Sequence, residues 1–261
     1  VVIMKNIFSI KDKVILVTGA TGYLRRKMVE HLVKADAKVI ALSRDINKLK
    51  KLANDLSMSY EQIFEMDVSN EQDVKDIFLK IYQKFNKIDV LVNNAYFGVA
   101  KKFDEYTKED WNINLEGTII SIDVITQAVV PYMKKNGGGR IINISSMYGM
   151  VSPNPEIYPN EESINPLAYG VGKAGIIQYT KYSAMMLAKY NINVNTISYG
   201  PFPNLENVKD KEFLKQLANK TFLKRVGKSE EVTAAVFFLS LDENSFLTGQ
   251  NIIVDGGWTS W

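Results

Sequence analysis

Short apolar runs alternate along this chain with longer stretches whose apolar residues recur every three or four positions. The runs at residues 14–17, 38–42, 62–66, 90–92, 140–144, 193–197 and 251–254 have the length and composition of strands. Between them, the patterns at 26–34, 47–56, 71–85, 115–134, 168–189 and 229–241 predict helices. Regular alternation of this kind predicts a parallel sheet covered on both faces, and the nearly continuous apolar character of the runs fits strands buried on both sides. The expected architecture is α/β: one doubly wound domain over residues 1–261, a mostly parallel seven-stranded sheet, and ligands at the carboxyl ends of the strands.

Composition narrows the chemistry. A chain of 261 residues with 46% hydrophobic content can bury one substantial core, and no linker, repeat or low-complexity tract interrupts it. Four of the seven prolines fall between 152 and 166, which reads as a functional loop and not a domain boundary. With 32 basic and 29 acidic residues the net charge is only +3, too balanced to predict a nucleic-acid or membrane surface. The absence of cysteine excludes disulfides, thiol nucleophiles and thiolate metal sites, and no metal is expected. Val1-Val2-Ile3, ahead of Met4-Lys5-Asn6, lacks the basic segment and long apolar core of a signal peptide. Those three residues read as upstream of the native start, and the expected location is cytoplasmic. His31, the only histidine, reads as structural.

The candidate chemistry lies in an ordered series of short motifs. Lys13-Val14-Ile15-Leu16-Val17 leads into Thr18-Gly19-Ala20-Thr21-Gly22-Tyr23-Leu24 and then a helix. Strand, glycine turn and helix, in that order, aim backbone N–H groups and a helix N-terminus at a pyrophosphate. Asn93-Asn94-Ala95 follows the fourth run, Asn114 opens a helical pattern, and Ser145-Ser146 end the fifth run. Tyr169 and Lys173, four residues apart, share one helical face. A phenol with an ordinary pKa of roughly 10 is a poor acid or base near neutrality unless a cation beside it stabilises the phenolate. Leu247-Thr248-Gly249-Gln250 and Val254-Asp255-Gly256-Gly257 close the series. Over essentially the whole chain, these motifs resemble the short-chain dehydrogenase/reductase family, which implies a Rossmann fold and an alcohol–ketone oxidoreductase using a nicotinamide dinucleotide.

The resemblance implies a role for each matching position. Tyr169 would exchange the proton of the alcohol, and Lys173 would depress the tyrosine pKa and hydrogen-bond the nicotinamide ribose. Ser146, with Ser145 as the alternative, would polarise the carbonyl, and Asn114 would hold a water relay to the lysine. Gly19, Thr21, Gly22, Tyr23, Leu24, Asn94, Ala95 and Gly200 would join Tyr169 and Lys173 around the dinucleotide, with Asp67-Val68 at the adenine. After the second strand the NAD pattern has an acid, whereas this chain has Ser43-Arg44. A guanidinium clamps a 2′-phosphate that a carboxylate would repel, so NADP is expected, with NAD as the alternative.

Three residues depart from the family pattern. Arg25 stands where glycine allows close packing and is expected to point outward; Tyr96 replaces a glycine, and Tyr199 the first proline of a Pro-Gly turn. In the family the helices matching 115–134 and 168–189 pack on a second subunit, implying a homodimer or homotetramer. The segment 147–167 is longer than in compact members and carries Tyr148, Glu156 and Tyr158, so it is expected to govern substrate choice. Glu156-Ile157-Tyr158 and Asn165-Pro166-Leu167-Ala168-Tyr169 are similar to bacterial members associated with flagellin modification and surface polysaccharides. The implied partner is a small carbonyl or alcohol, with a sugar or nucleotide-sugar suggested. A 3-ketoacyl-thioester reductase and a non-catalytic dinucleotide-binding regulator are the alternatives.

Overall fold

The computed structural model describes residues 8–261; residues 1–3, read above as upstream of the native start, lie outside the described residues. Seven strands, β1 (Val14–Thr18), β2 (Lys38–Ser43), β3 (Ile63–Glu65), β4 (Val90–Asn93), β5 (Gly139–Ser146), β6 (Ile192–Tyr199) and β7 (Asn251–Val254), form one sheet. Their order is β3-β2-β1-β4-β5-β6-β7, and every neighbouring pair is parallel. The chain leaves β1 toward β2 on one side and returns to β4 on the other. Side by side at the switch, β1 and β4 open a crevice at their carboxyl ends.

Alternate strand residues face opposite sides of the sheet. Ile15, Val17, Val39 and Ala41 pack with Met28, Val29 and Leu32 of α1 (Tyr23–Lys34), Leu49 and Leu52 of α2 (Ile46–Asp55), and Val236 and Leu239 further along the chain. Val14, Leu16, Ile40 and Leu42 pack instead with Phe78 and Ile81 of α3 (Glu71–Phe85) and with Ile125, Val129 and Met133. The sheet is therefore covered on both faces, as the strand pattern predicts.

The predicted helix 115–134 is a π turn (Glu116–Ile120) followed by α5 (Ser121–Lys135), and ahead of them stands α4 (Lys108–Leu115), which was not anticipated. Thr107 starts α4 by a reciprocal cap, its Oγ1 accepting from the Asp110 N–H at 3.1 Å while the Asp110 carboxylate accepts from the Thr107 N–H at 3.0 Å. Residues 108–135 are long and apolar enough to cross a membrane, with mean hydropathy 1.3 over the best window. Ile122, Ile125, Val129 and Met133 are nonetheless buried in the protein core, which accounts for that apolar character. Two further helices, α6 (Leu167–Leu187) and α8 (Thr233–Ser240), fall within predicted segments, whereas α7 (Lys211–Lys220) was not anticipated.

Candidate active site

Two cavities lie at the carboxyl ends of the strands. The first, about 340 Å³, opens beside the glycine turn and is lined by Gly19, Thr21, Gly22, Ser43, Arg44, Val68 and Ala95. Gly19 has φ +64°, and a Cβ there would stand 3.0 Å from the Ala95 Cα, so both conformation and close approach exclude a side chain. Gly22 begins α1 without a side-chain cap, leaving that helix end to other acceptors. The Thr18 hydroxyl joins the two switch strands, accepting from the N–H groups of Asn94 at 2.9 Å and Ala95 at 3.0 Å. Thr21 and Ser43 share a hydroxyl hydrogen bond of 3.1 Å, and Arg44 lies 5.6 Å over the Phe97 ring.

Asp45 is next to Arg44, but its carboxylate is engaged: it caps α2, accepting from Asn47 and Lys48 N–H groups at 3.0 Å each. These bonds hold its carboxyl below the usual range. Asp67, expected with Val68 at the adenine, lies beside this cavity. Its carboxylate accepts from the Ser69 N–H and hydroxyl at 3.0 and 2.8 Å and does not line the cavity; Met66 and Val68 do.

The second cavity, about 390 Å³, brings together Tyr23, Leu24, Asn94, Ser145, Ser146, Tyr169, Lys173 and Gly200. The Ser146 hydroxyl accepts from the Tyr148 N–H at 3.2 Å and lies near enough to Tyr169 to favour its phenolate. Ser145 is committed elsewhere, its hydroxyl donating to the Lys173 carbonyl at 2.7 Å and fixing the end of β5 against α6. Gly149 permits this packing, because a Cβ there would lie 2.7 Å from the Lys173 carbonyl carbon. Gly200 is likewise required by the backbone of Asp255, whose Cα lies 2.5 Å from its Cβ position.

The electrostatics differ from the predicted pairing. Lys173 is buried, and its ammonium donates to the Ile144 carbonyl at 2.9 Å. Burial, reinforced by the charge of Arg25, pushes its pKa down to about 7. Burial also raises the Tyr169 pKa, opposed by the Ser146 hydroxyl and by Arg25. The charge of Arg25 favours the phenolate, and the Lys173 ammonium lies 5.5 Å from the centre of the Tyr169 ring.

Arg25 itself is a correction. It does not point outward but folds into the cleft, its Nη1 and Cδ lying 2.7 and 2.8 Å from the position of a Cβ on Gly22. The neighbouring Arg26 turns away and pairs with Asp55 at 2.9 Å. Asn114 is buried but does not line the second cavity; its Nδ2 donates to the Asp110 and Val99 carbonyls, while its Oδ1 lacks a partner. That orphaned acceptor, in the last turn of α4 before the π turn, suits a donor or water bridging to the site.

Residues beyond the predicted set also shape the second cavity. Met28, Tyr96, Ile144, Tyr199 and Phe202 line it. The Tyr96 ring meets Tyr169 edge to face at 5.2 Å, and the Tyr199 hydroxyl donates to the Val232 carbonyl, fixing the ring that replaces proline. His31 is structural, Nδ1 lying 2.8 Å from the Lys27 carbonyl. Beyond the cavity, the 147–167 segment folds into short turns. Met147, Tyr148 and Ile157 pack with Leu217 of α7 and Trp258, against Tyr158 and Tyr169. The Tyr148 and Tyr158 hydroxyls meet at 2.6 Å.

A model of the family described as Enoyl-(Acyl carrier protein) reductase matches residues 24–259. The chain is 35% identical to the 3-oxoacyl-(acyl-carrier-protein) reductase FabG of Thermotoga maritima, covering 95% of this chain and 98% of that protein. It is 31% identical to the NAD-dependent glycerol dehydrogenase of Listeria innocua, with 97% and 96% covered. Post-translational flagellin modification protein A of Campylobacter coli is 30% identical, with 95% and 99% covered. Among solved structures, a short-chain dehydrogenase from Leptospira borgpetersenii with bound NAD+ superposes with a TM-score of 0.84 at 31% identity, covering 98% of this chain and 97% of that one.

Proposed function

We propose a specific reaction for this chain, which belongs to the short-chain dehydrogenase/reductase family and is an oxidoreductase of that family: it interconverts an alcohol and a ketone on a small molecule, with NADP(H) preferred to NAD(H). The observation that carries the reading is the meeting of Ser146, Tyr169 and Lys173 in a cavity adjoining the glycine-turn cavity. The fit to a dinucleotide rests on the bare Gly19 backbone, the uncapped start of α1 and the cationic Arg44. Gly19, Thr21, Gly22, Tyr23 and Leu24 would hold the diphosphate turn, while Ser43 and Arg44 would take the 2′-phosphate. Asn94, Ala95, Gly200 and Lys173 would frame the nicotinamide half. NADP is favoured over NAD because Ser43 and Arg44, and not an acid, end and follow β2; Asp45, which also lines the cavity, has one carboxylate oxygen engaged in the α2 cap.

The bound cofactor supplies or accepts a hydride at the substrate carbon. Tyr169 would exchange the proton of the substrate oxygen, and Ser146, whose hydroxyl proton is not committed to a backbone carbonyl as that of Ser145 is, would donate to that oxygen and polarise it. Asn114 would hold the water that connects Lys173 to solvent. The segment 147–167 would set substrate choice within a single domain spanning 1–261. Its aromatic content and the similarity to flagellin modification protein A support a sugar or nucleotide-sugar, in a cytoplasmic homodimer or homotetramer. A second reading, reduction of a 3-ketoacyl thioester, is supported by the 35% identity to the Thermotoga reductase.

Turnover of keto-sugars, nucleotide-sugars and 3-ketoacyl thioesters with NADPH and NADH separates these readings. On the preferred substrate, Tyr169→Phe should lower turnover by about a hundredfold to ten-thousandfold, the range of general acid–base contributions, with dinucleotide affinity nearly intact. Retention of half the turnover overturns the assignment.

A further inference from the structure

Among the described residues, Arg25 and Tyr96 alone line both cavities. If the proposed function is right, the adenosine half of the cofactor fills the first cavity and the nicotinamide half the second. The diphosphate is the middle of that molecule and has to cross where the cavities meet. Arg25 is the cation at that crossing. Its guanidinium lies over Gly22, at the start of α1, and is near enough to the catalytic pair for its charge to act on both Tyr169 and Lys173.

Arg25 also makes neither a hydrogen bond nor an ion pair among the described residues, in contrast to Arg26. A guanidinium taken partly out of water without an anion loses hydration that no partner replaces, so an arriving anion gains more here than at an exposed arginine. Nothing polar holds the side chain across the passage. Moving it aside costs little beside the charged hydrogen bonds it can then form.

We propose that Arg25 is a diphosphate ligand, occupying with a cation the position at which the family has glycine. In the ligand-free state it closes the passage beside Tyr96; in the bound state it clamps the diphosphate from the side opposite the backbone of the glycine turn. This replaces the simple steric view of a long side chain at a glycine position, in which removal would tighten binding.

The experiment measures binding by calorimetry for wild type, Arg25→Ala and Arg25→Lys with two ligands: NADPH and 2′-AMP, which carries the adenosine and 2′-phosphate but no diphosphate. Arg25→Ala should weaken NADPH by on the order of tenfold to a hundredfold, the span of a lost charged hydrogen bond, and leave 2′-AMP within twofold. Arg25→Lys should recover part of the loss through its remaining charge. Unchanged 2′-AMP binding also shows that the variant is folded. NADPH bound equally or more tightly by Arg25→Ala overturns the proposal while the dinucleotide reading stands. Failure of wild type to bind NADPH, NADH or 2′-AMP overturns both.

Discussion

Lys173→Met is expected to stabilise the fold at neutral pH while abolishing the proposed function of that side chain. The lysine is buried, and folding lowers its pKa from 10.5 to about 7. At 1.36 kcal/mol per unit, that shift corresponds to about 4–5 kcal/mol of opposition to folding near pH 7. Methionine has similar reach and no charge, but it leaves the Ile144 carbonyl without its 2.9 Å donor, a loss of about 1–3 kcal/mol. The net expectation is a variant more stable by about 1–3 kcal/mol at pH 7. Between pH 7 and 10.5 the unfolded lysine holds a proton that the folded one has released, so stability rises with pH across that window. The wild type should therefore gain about 1.4 kcal/mol per pH unit through this group, a slope that Lys173→Met lacks. Urea unfolding followed by circular dichroism at pH 7, 8 and 9 provides the test. Equal slopes in the two proteins would show that the lysine keeps its charge in the fold and refute the reasoning.

Arg44→Ala should weaken NADPH relative to NADH by about 1.5–3 kcal/mol, the worth of a charged hydrogen bond, and equal losses in calorimetry would sink the NADP preference. Ser146→Ala should reduce turnover with little change in stability, whereas Ser145→Ala should lose roughly 1 kcal/mol of stability with its bond to the Lys173 carbonyl; the opposite pattern in paired kinetics and melts would reverse the two serines. Tyr158→Ala removes the partner of the Tyr148 hydroxyl and a ring 5.4 Å from Phe213. It should raise KM for the substrate more than it weakens NADPH, and an unchanged KM would remove 147–167 from substrate selection.

The strands were legible because most are β-rich runs buried on both faces, so burial and sequence pattern coincide; β7, an edge strand only partly buried, agrees with its predicted bounds, and the others differ by at most two residues at either end. Helices were legible where an apolar stripe faces the sheet. The ten residues of α7 include only one fully buried side chain, Leu217, yet Phe213, Leu214, Leu217 and Ala218 recur at helical spacing, so this segment was legible in the pattern and was missed. The break at Glu116–Ile120 was hidden for a different reason. A π turn changes hydrogen-bond spacing without needing a proline, and here it depends on Gly117, whose Cβ position lies 1.8 Å from the Phe97 carbonyl oxygen. That constraint comes from a loop twenty residues away.

The candidate site divides along the same line. Tyr169 and Lys173 could be paired from their spacing on one helical face, whereas Ser146 was joined to them by the resemblance to the family. The protonation of the pair could not be read in this way, since it depends on how deeply α6 is buried and on a cation supplied by α1. Asp67 shows the limit from the other side: a carboxylate after a strand can reach a ligand or its own turn, and Ser69 two residues on engages one of its two oxygens. Arg25 turned inward although Arg26, one position away, found Asp55 on the surface. Successive helix positions are about 100° apart, so the two adjacent arginines occupy different sectors, and at this point of α1 the sector of Arg25 faces the cleft. The glycine expected at 25 would leave that sector bare, whereas this sequence fills it with charge, and the nature of the cleft's ligand follows from that choice.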